Sequence, residues 1–292
     1  MSMVMAEQVS RVELEPGVEL HYKESGSGIP VVFIHGLTGD LGSWSEQVPA
    51  FEKQYRTITY SRRFSRPNRN DLRTSPEHSV LVDAGDLARL LEVLHVEPAI
   101  LIGSSFGAYT ALALAMSQPG KVLAMVLCEP PVVSWADLVE GGRAIREEFE
   151  QSFIHPARKA FDDGDDDRAA KIYAAGVLGA TGINDISSTA RARRLGNTNA
   201  IKALALSRRE FVALDPAIAR KLRMPILLMS GERTQPIFST IFESARRLFP
   251  SATALRVPDA GHSVYREQPA VFNKLCLQFI ENEIGHRTNC TL

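Results

Sequence analysis

Along this chain the apolar positions change period several times, and those changes divide it into elements. Residues 12–14 and 18–22 alternate apolar and polar side chains around Pro16-Gly17, which predicts an antiparallel hairpin. Ile29-Pro30-Val31-Val32-Phe33-Ile34 is instead a nearly continuous β-branched run, as expected of a strand covered on both faces in a parallel sheet. The same character returns at residues 56–60, 99–102, 122–128 and 225–229, and more weakly at 254–257. Between these runs, residues 79–94 and 107–118 carry a helical period, and the helical stretch 269–284 follows the last strand. Parallel neighbours need a long crossover connection. The alternation therefore predicts an α/β fold, a mostly parallel central sheet with helices on both faces.

From about Ser134 to Arg223 the alternation fails. Charged helical stretches such as 136–153 and 168–178 follow one another there with no strand between them. The pattern predicts a helical cap over residues 134–223, inserted into a core made of residues 1–133 and 224–292. Within the cap, Asp162-Asp163-Gly164-Asp165-Asp166-Asp167 lacks the spacing and terminal glutamate of a calcium loop and reads as a solvated turn.

Composition narrows the function classes. The 292 residues are 45% hydrophobic and 23% charged, as in ordinary globular chains, and the formal net charge of -1 offers no basic surface for nucleic acid or anionic lipid. No apolar run approaches the roughly 18 residues of a spanning helix, and residues 1–10 lack the pattern of a secretory signal. The expectation is a cytoplasmic monomer or homodimer that acts on a small molecule, without nucleic-acid or membrane partners. Cys128, Cys276 and Cys290 are too few and too scattered for a disulfide framework or a zinc site.

The chemistry concentrates at Gly103-Ser104-Ser105-Phe106-Gly107, a G-x-S-x-G sequence between a strand-like run and a helical one. Glycine on both sides permits a sharp turn that presents the Ser105 hydroxyl at its apex. A serine hydroxyl needs a base within hydrogen-bond reach and a third group to fix that base's tautomer. His262 is the candidate base. It follows the last strand-like run in Pro258-Asp259-Ala260-Gly261-His262, and a loop there lies at the same sheet edge as Ser105. His35, in Phe33-Ile34-His35-Gly36-Leu37, ends another strand at that edge and reads as a turn-shaping residue. The backbone N–H groups of Leu37 and Phe106 are the candidate oxyanion donors, a role in which each contributes roughly 3 kcal/mol to the barrier.

These motifs, in the order serine then histidine, resemble the α/β-hydrolase superfamily from Val18 to Ile280, and within it the capped bacterial esterases and enol-lactonase-like enzymes. The resemblance implies hydrolysis of a small to medium carboxylic ester, lactone or related acyl compound through an acyl-serine, with no metal or organic cofactor. In most relatives the acid follows the penultimate strand in a Gly-x-x-Asp arrangement. Here Gly231-Glu232-Arg233-Thr234 puts threonine at that place. One strand earlier, Glu129 stands at a strand end before Pro130-Pro131, where some members carry their acid, so Glu129 is the expected third member and Glu232 the alternative. Trp44, Trp135 and Phe211 are candidates to line an acyl pocket. Arg62, Arg63 and Arg66 form a basic loop, either solvated or able to bind a substrate carboxylate. Carbon–carbon bond hydrolysis, perhydrolysis and cofactor-free oxygenation use the same residue types in relatives, and a non-catalytic ligand receptor of this fold is the reading from another class.

Overall fold

Eight strands form one sheet in the order β1-β2-β4-β3-β5-β6-β7-β8. They are β1 Ser10–Glu15, β2 Val18–Ser25, β3 Pro30–Ile34, β4 Arg56–Tyr60, β5 Ala99–Ser104, β6 Val122–Cys128, β7 Ile226–Gly231 and β8 Thr253–Val257. The computed structural model describes residues 9–179, 188–207 and 209–285. β1 and β2 form the hairpin expected around Pro16-Gly17, and β2 pairs antiparallel with β4. From β4 through β8 every neighbour is parallel, as the mostly parallel sheet requires.

Side-chain parity sorts the core into two layers, because successive strand residues point to opposite faces. Val32, Ile34, Leu101, Met125 and Leu228 belong to one buried cluster, shared with helices α1 Val80–Val93 and α2 Phe106–Ser117. Their neighbours Val31, Phe33, Ile100, Val126 and Met229 belong to the other, which also contains Trp44 and the buried residues of the C-terminal helix. Residues 106–115 of α2 are all buried, so this helix has no polar face.

Between β6 and β7 the described chain is helical. Its longer helices are α3 Gly142–Phe149, α4 His155–Asp162, α5 Asp166–Leu178, α6 Ser188–Gly196 and α7 Thr198–Ala205. The stretch expected as one helix over 136–153 is divided. A 3₁₀ segment, Val133–Leu138, precedes Gly141, whose φ of +73° breaks the run before α3 begins. The acidic run between α4 and α5 is consumed locally: Asp163 pairs with Lys159, Asp166 with Lys202 and Asp167 with Lys171, while Asp165 caps α5 through the Arg168 N–H. After β7 comes a helix that the sequence analysis does not single out, α8 Pro236–Leu248. It buries Ile237, Phe238, Ile241, Phe242, Ala245 and Leu248 along one stripe. α9, Pro269–Ile280, follows β8 as expected.

Cys128 and Cys276 are buried free thiols, and burial pushes both well above the ordinary thiol range. Cys290 lies outside the described residues. No helix among them is long and apolar enough to cross a membrane.

Two of the three arginines in the loop after β4 meet neither expectation. Arg62 and Arg63 are buried, at 2% and 5% side-chain exposure, and each meets an aspartate on α1. Arg62 Nη1 donates to Asp83 Oδ2 at 2.5 Å, and Arg63 grips Asp86 with Nε at 2.8 Å and Nη2 at 2.5 Å. Asp83 and Asp86 stand three residues apart on one helix face, so a single register serves both pairs. Burial pushes the Asp83 carboxyl up, but Arg62 and His78 outweigh it and hold it below the usual carboxylate range. Arg66 remains exposed.

Removing one partner of a buried pair strands the other charge, at a cost of about 3–5 kcal/mol. Asp83→Asn should therefore lower the unfolding free energy by that amount in urea titration. A change near zero would mean that the Arg62–Asp83 pair does not hold the loop after β4 to α1.

Candidate active site

Ser105 sits between the last residue of β5 and the first of α2 with φ +54° and ψ −125°. That conformation is sparsely populated for a residue with a Cβ and costs on the order of 1–3 kcal/mol, so the surroundings must impose it. They do so by close packing. A Cβ on Gly107 would lie 1.9 Å from the Ile34 carbonyl oxygen, and one on Gly103 would lie 2.5 Å from the Ala108 nitrogen. The Ser105 N–H donates to the Cys128 carbonyl at 2.7 Å, tying the bend to the end of β6. The hydroxyl is left facing a cleft.

His262 reaches the same cleft from the loop after β8. This loop packs against the end of β7 so closely that a Cβ on Gly231 would lie 2.2 Å from the Gly261 carbonyl oxygen. The imidazole stacks on Phe238 with ring centroids 4.0 Å apart. Its Nδ1 lies 2.6 Å from Glu129 Oε2, with the two side chains 4% and 0% exposed. A carboxylate only accepts, so Nδ1 is the donor and Nε2 carries the free lone pair. That Nε2 is buried and without a hydrogen-bond partner among the described residues. The Ser105 hydroxyl and His262 share the cleft but are not hydrogen-bonded to each other. Such bonds are often long without substrate and tighten in the Michaelis complex.

Glu129 is itself held in the left-handed region, at φ +49°. Its Oε1 accepts from Ser230 Oγ and from the Gly231 N–H, both at 2.8 Å, and its Oε2 accepts from Thr234 Oγ1 at 2.7 Å as well as from His262. Glu232 is exposed and does not line the cleft. Of the two candidate acids, the fold brings Glu129 to His262.

On the opposite wall, His35 Nδ1 donates to the Gly36 carbonyl at 2.7 Å and its Nε2 accepts the Arg62 N–H at 3.0 Å. With both nitrogens engaged the ring has no lone pair to offer. Burial, reinforced by the charges of Arg62 and Arg266, pushes its pKa down to about 3, so it stays neutral. A Cβ on Gly36 would lie 3.3 Å from Ser105 Cβ, which shows how near the Gly36–Leu37 backbone comes to the serine. Leu37 and Phe106 both line the cleft, and the Phe106 N–H, in the first turn of α2, has no partner within the helix. Arg62, which the sequence offered as a surface or substrate-binding residue, organises this wall instead. Its Nη2 donates to the Leu37 carbonyl at 3.3 Å, and its guanidinium lies 4.8 Å from the centre of the Phe106 ring.

Of the aromatic candidates, Phe211 lines the cleft. Trp44 and Trp135 do not, because each is consumed by packing. Trp44 is fully buried against Phe33 and Tyr265 on the face of the sheet that carries α9. Trp135 packs near Phe249 and donates Nε1 to the Leu214 carbonyl at 2.8 Å. The cleft takes its apolar surface from Phe149, Tyr173 and Val177 in the helical insertion and from Pro131 and Phe238 below. Behind Tyr173 lies Glu210, whose Oε2 accepts from Arg158 Nη2 at 2.8 Å. Burial pushes the Glu210 carboxyl up to about 7 against the opposing pull of Arg158.

A family model described as the alpha/beta hydrolase fold matches residues 29–269. The curated protein "Putative carbamate hydrolase RutD" of Escherichia coli (strain K12 / DH10B) is 23% identical over 273 residues, covering 88% of this chain and 93% of that protein. Among solved structures, the esterase RhEst1 from Rhodococcus sp. ECU1013 superposes with a TM-score of 0.73 at 21% identity, covering 94% of this chain and 99% of its own. Est816, described as an N-acyl homoserine lactone degrading enzyme, superposes with a TM-score of 0.72 at 19% identity, covering 92% of this chain and 100% of its own.

Glu210 ties stability to pH. Its folded value lies above the ordinary 4.5, so the stability associated with its protonated form is complete below that value and is lost as pH rises through about 7. The effect is worth up to about 3 kcal/mol. Between about pH 5 and about pH 8 the melting temperature of the native chain should fall relative to that of Glu210→Gln. Parallel calorimetric profiles for the two proteins would exclude Glu210 as the source.

Proposed function

The chain belongs to the α/β-hydrolase fold family, and on that premise we propose that it is a serine hydrolase of small to medium carboxylic esters, lactones or related acyl compounds. One observation carries the proposal. A serine forced into a strained bend shares a cleft with a histidine whose far nitrogen is fixed by a buried carboxylate.

In this reading Ser105 Oγ attacks the substrate carbonyl while His262 Nε2 takes the hydroxyl proton. The carbonyl π pair moves onto oxygen, where the N–H groups of Leu37 and Phe106 receive it. Collapse of that intermediate expels the alcohol or lactone oxygen, which takes the proton from His262 and leaves an acyl-serine. Water then enters with His262 again acting as base, and its attack releases the acid and restores Ser105. Glu129 holds the Nδ1–H tautomer and stabilises the imidazolium that forms at each step. No step requires a metal or an organic cofactor. The helices of residues 134–223 act as a cap that sets substrate size, since Phe149, Tyr173 and Phe211 close the apolar side of the cleft. The named relatives support this chemistry, because carbamates, esters and N-acyl homoserine lactones all present an acyl carbon bonded to a leaving heteroatom.

Steady-state hydrolysis of a p-nitrophenyl ester tests the assignment. Ser105→Ala should remove activity down to a residual level, with a loss on the order of 10⁴ or more in kcat. Glu129→Gln should lower kcat by about 10²–10⁴, whereas Glu232→Gln should leave it near the native value. Full activity in Ser105→Ala would end the proposal, and the reverse ranking of the two glutamates would move the acid to residue 232.

A further inference from the structure

Arg266 stands apart from the other arginines near this cleft because no carboxylate among the described residues pairs with it. Arg62 and Arg63 are paired with Asp83 and Asp86, and Arg193 lies 3.4 Å from Asp40. Arg266, four residues after His262 in the short helix Val264–Glu267, lines the cleft together with the segment Gly36–Gly39, and no carboxylate lies within ion-pair distance of it among the described residues. Its neighbour Glu267 is engaged elsewhere, accepting from the N–H groups of Gly261 and Ser263 at 2.8 and 3.1 Å.

Few of its donors are used. Nη2 donates to Ser43 Oγ at 3.2 Å, and the guanidinium lies 5.1 Å from the centre of the Tyr265 ring, which holds the group in place without neutralising it. Nε is buried and has no hydrogen-bond partner among the described residues. A guanidinium offers five N–H donors in a fixed fork that matches a carboxylate. The positive charge reaches the interior of the site, since Arg266 is among the groups that keep His35 neutral.

Resting on the hydrolase reading above, we propose that Arg266 is a specificity-determining residue and that the substrate is an acyl compound bearing a carboxylate, bound by the guanidinium while its scissile carbonyl lies at Ser105. The apolar wall of Phe149, Tyr173 and Phe211 then receives the uncharged part of the molecule, and the charged end lies against the segment Gly36–Gly39. This assigns to Arg266 the anion-gripping role that the sequence had offered to the loop after β4.

Two matched substrate pairs test the proposal: monophenyl glutarate against phenyl butyrate, with the carboxylate on the acyl part, and acetylsalicylate against phenyl acetate, with it on the leaving group. For at least one pair the native enzyme should favour the anionic member. Arg266→Gln should lower the ratio of kcat/KM, anionic over uncharged, by about tenfold or more, the scale of a lost charge-assisted bond. Arg266→Lys should restore part of it, and the native preference should weaken with salt. An equilibrium measurement separates this proposal from the hydrolase reading. Calorimetry of monomethyl glutarate with Ser105→Ala should give a Kd that rises about tenfold or more when Arg266→Gln is added. If the esters are cleaved but neither the ratio for either pair nor the Kd responds to Arg266→Gln, the anion site is wrong and hydrolysis stands. If the Kd responds but no ester is turned over, the anion site stands and hydrolysis falls.

Discussion

A fully buried carboxylate is the constraint around which this site is built. Glu129 has no access to water, and an anion in that position persists only where hydrogen bonds replace its hydration. Its donors come from separate pieces of chain: Ser230 and Gly231 at the end of β7, Thr234 in the turn that follows, and His262 in the loop after β8. None of these can shift without leaving a charge unsatisfied. The carboxylate therefore locks the ends of three adjacent strands together and fixes the direction of the imidazole. The left-handed backbone at residue 129 is part of the same arrangement, a local strain that the network overdetermines.

The opposite wall is held by a cation in the same manner. Arg62 is buried by its pairing with Asp83, and from that anchored position it reaches His35 through its N–H, the Leu37 carbonyl through Nη2 and the Phe106 ring through its guanidinium face. One side chain thus ties both the Leu37 carbonyl and the Phe106 ring to α1. Between the two charged networks lies the Ser105 bend, set by steric contact, since the glycines at 103 and 107 leave no room for a side chain, and by the backbone bond from the Ser105 N–H to the Cys128 carbonyl. With the electrostatic constraints on the walls, the Ser105 hydroxyl between them is left without a side-chain partner among the described residues.

How much of this was legible in the sequence depended on whether the relevant interaction is local. The strands, the Gly103–Gly107 turn and the Gly261-His262 loop declare themselves through adjacent residues, and the structure places them at one sheet edge as expected. Glu129 is already the expected neighbour of His262 on a resemblance, with Glu232 the alternative; the physical reason lies in the strand order, because the pairing of β6 with β7 sets residue 129 beside residues 230 and 231. The fate of Arg62 and Arg63 was partly visible. Asp83 and Asp86 lie on one face of a helix that the periodicity predicts, but nothing local says that this face meets the loop after β4. Trp44 and Trp135 show the reverse failure. Large aromatics suit a pocket and a core equally well by residue type, and packing assigned both to the core. The helix Pro236–Leu248 carries an apolar stripe of helical period that is readable in the sequence.

Thr234 explains how the acid can occupy a neighbouring strand without rebuilding the site. Parallel strands lie about 4.8 Å apart, and glutamate is longer than aspartate by one methylene, so a carboxylate rooted at the end of β6 reaches the ring that one rooted after β7 would otherwise serve. The place left behind is not filled with an apolar group. Thr234 stands there and donates its hydroxyl to the same oxygen of Glu129 that meets His262. A hydroxyl donor at that position suits a carboxylate arriving from the adjacent strand, whereas an acid there would oppose it by like-charge repulsion. In this chain the carboxylate beside Nδ1 is delivered from the end of β6, and the hydroxyl of Thr234 completes its hydrogen bonding.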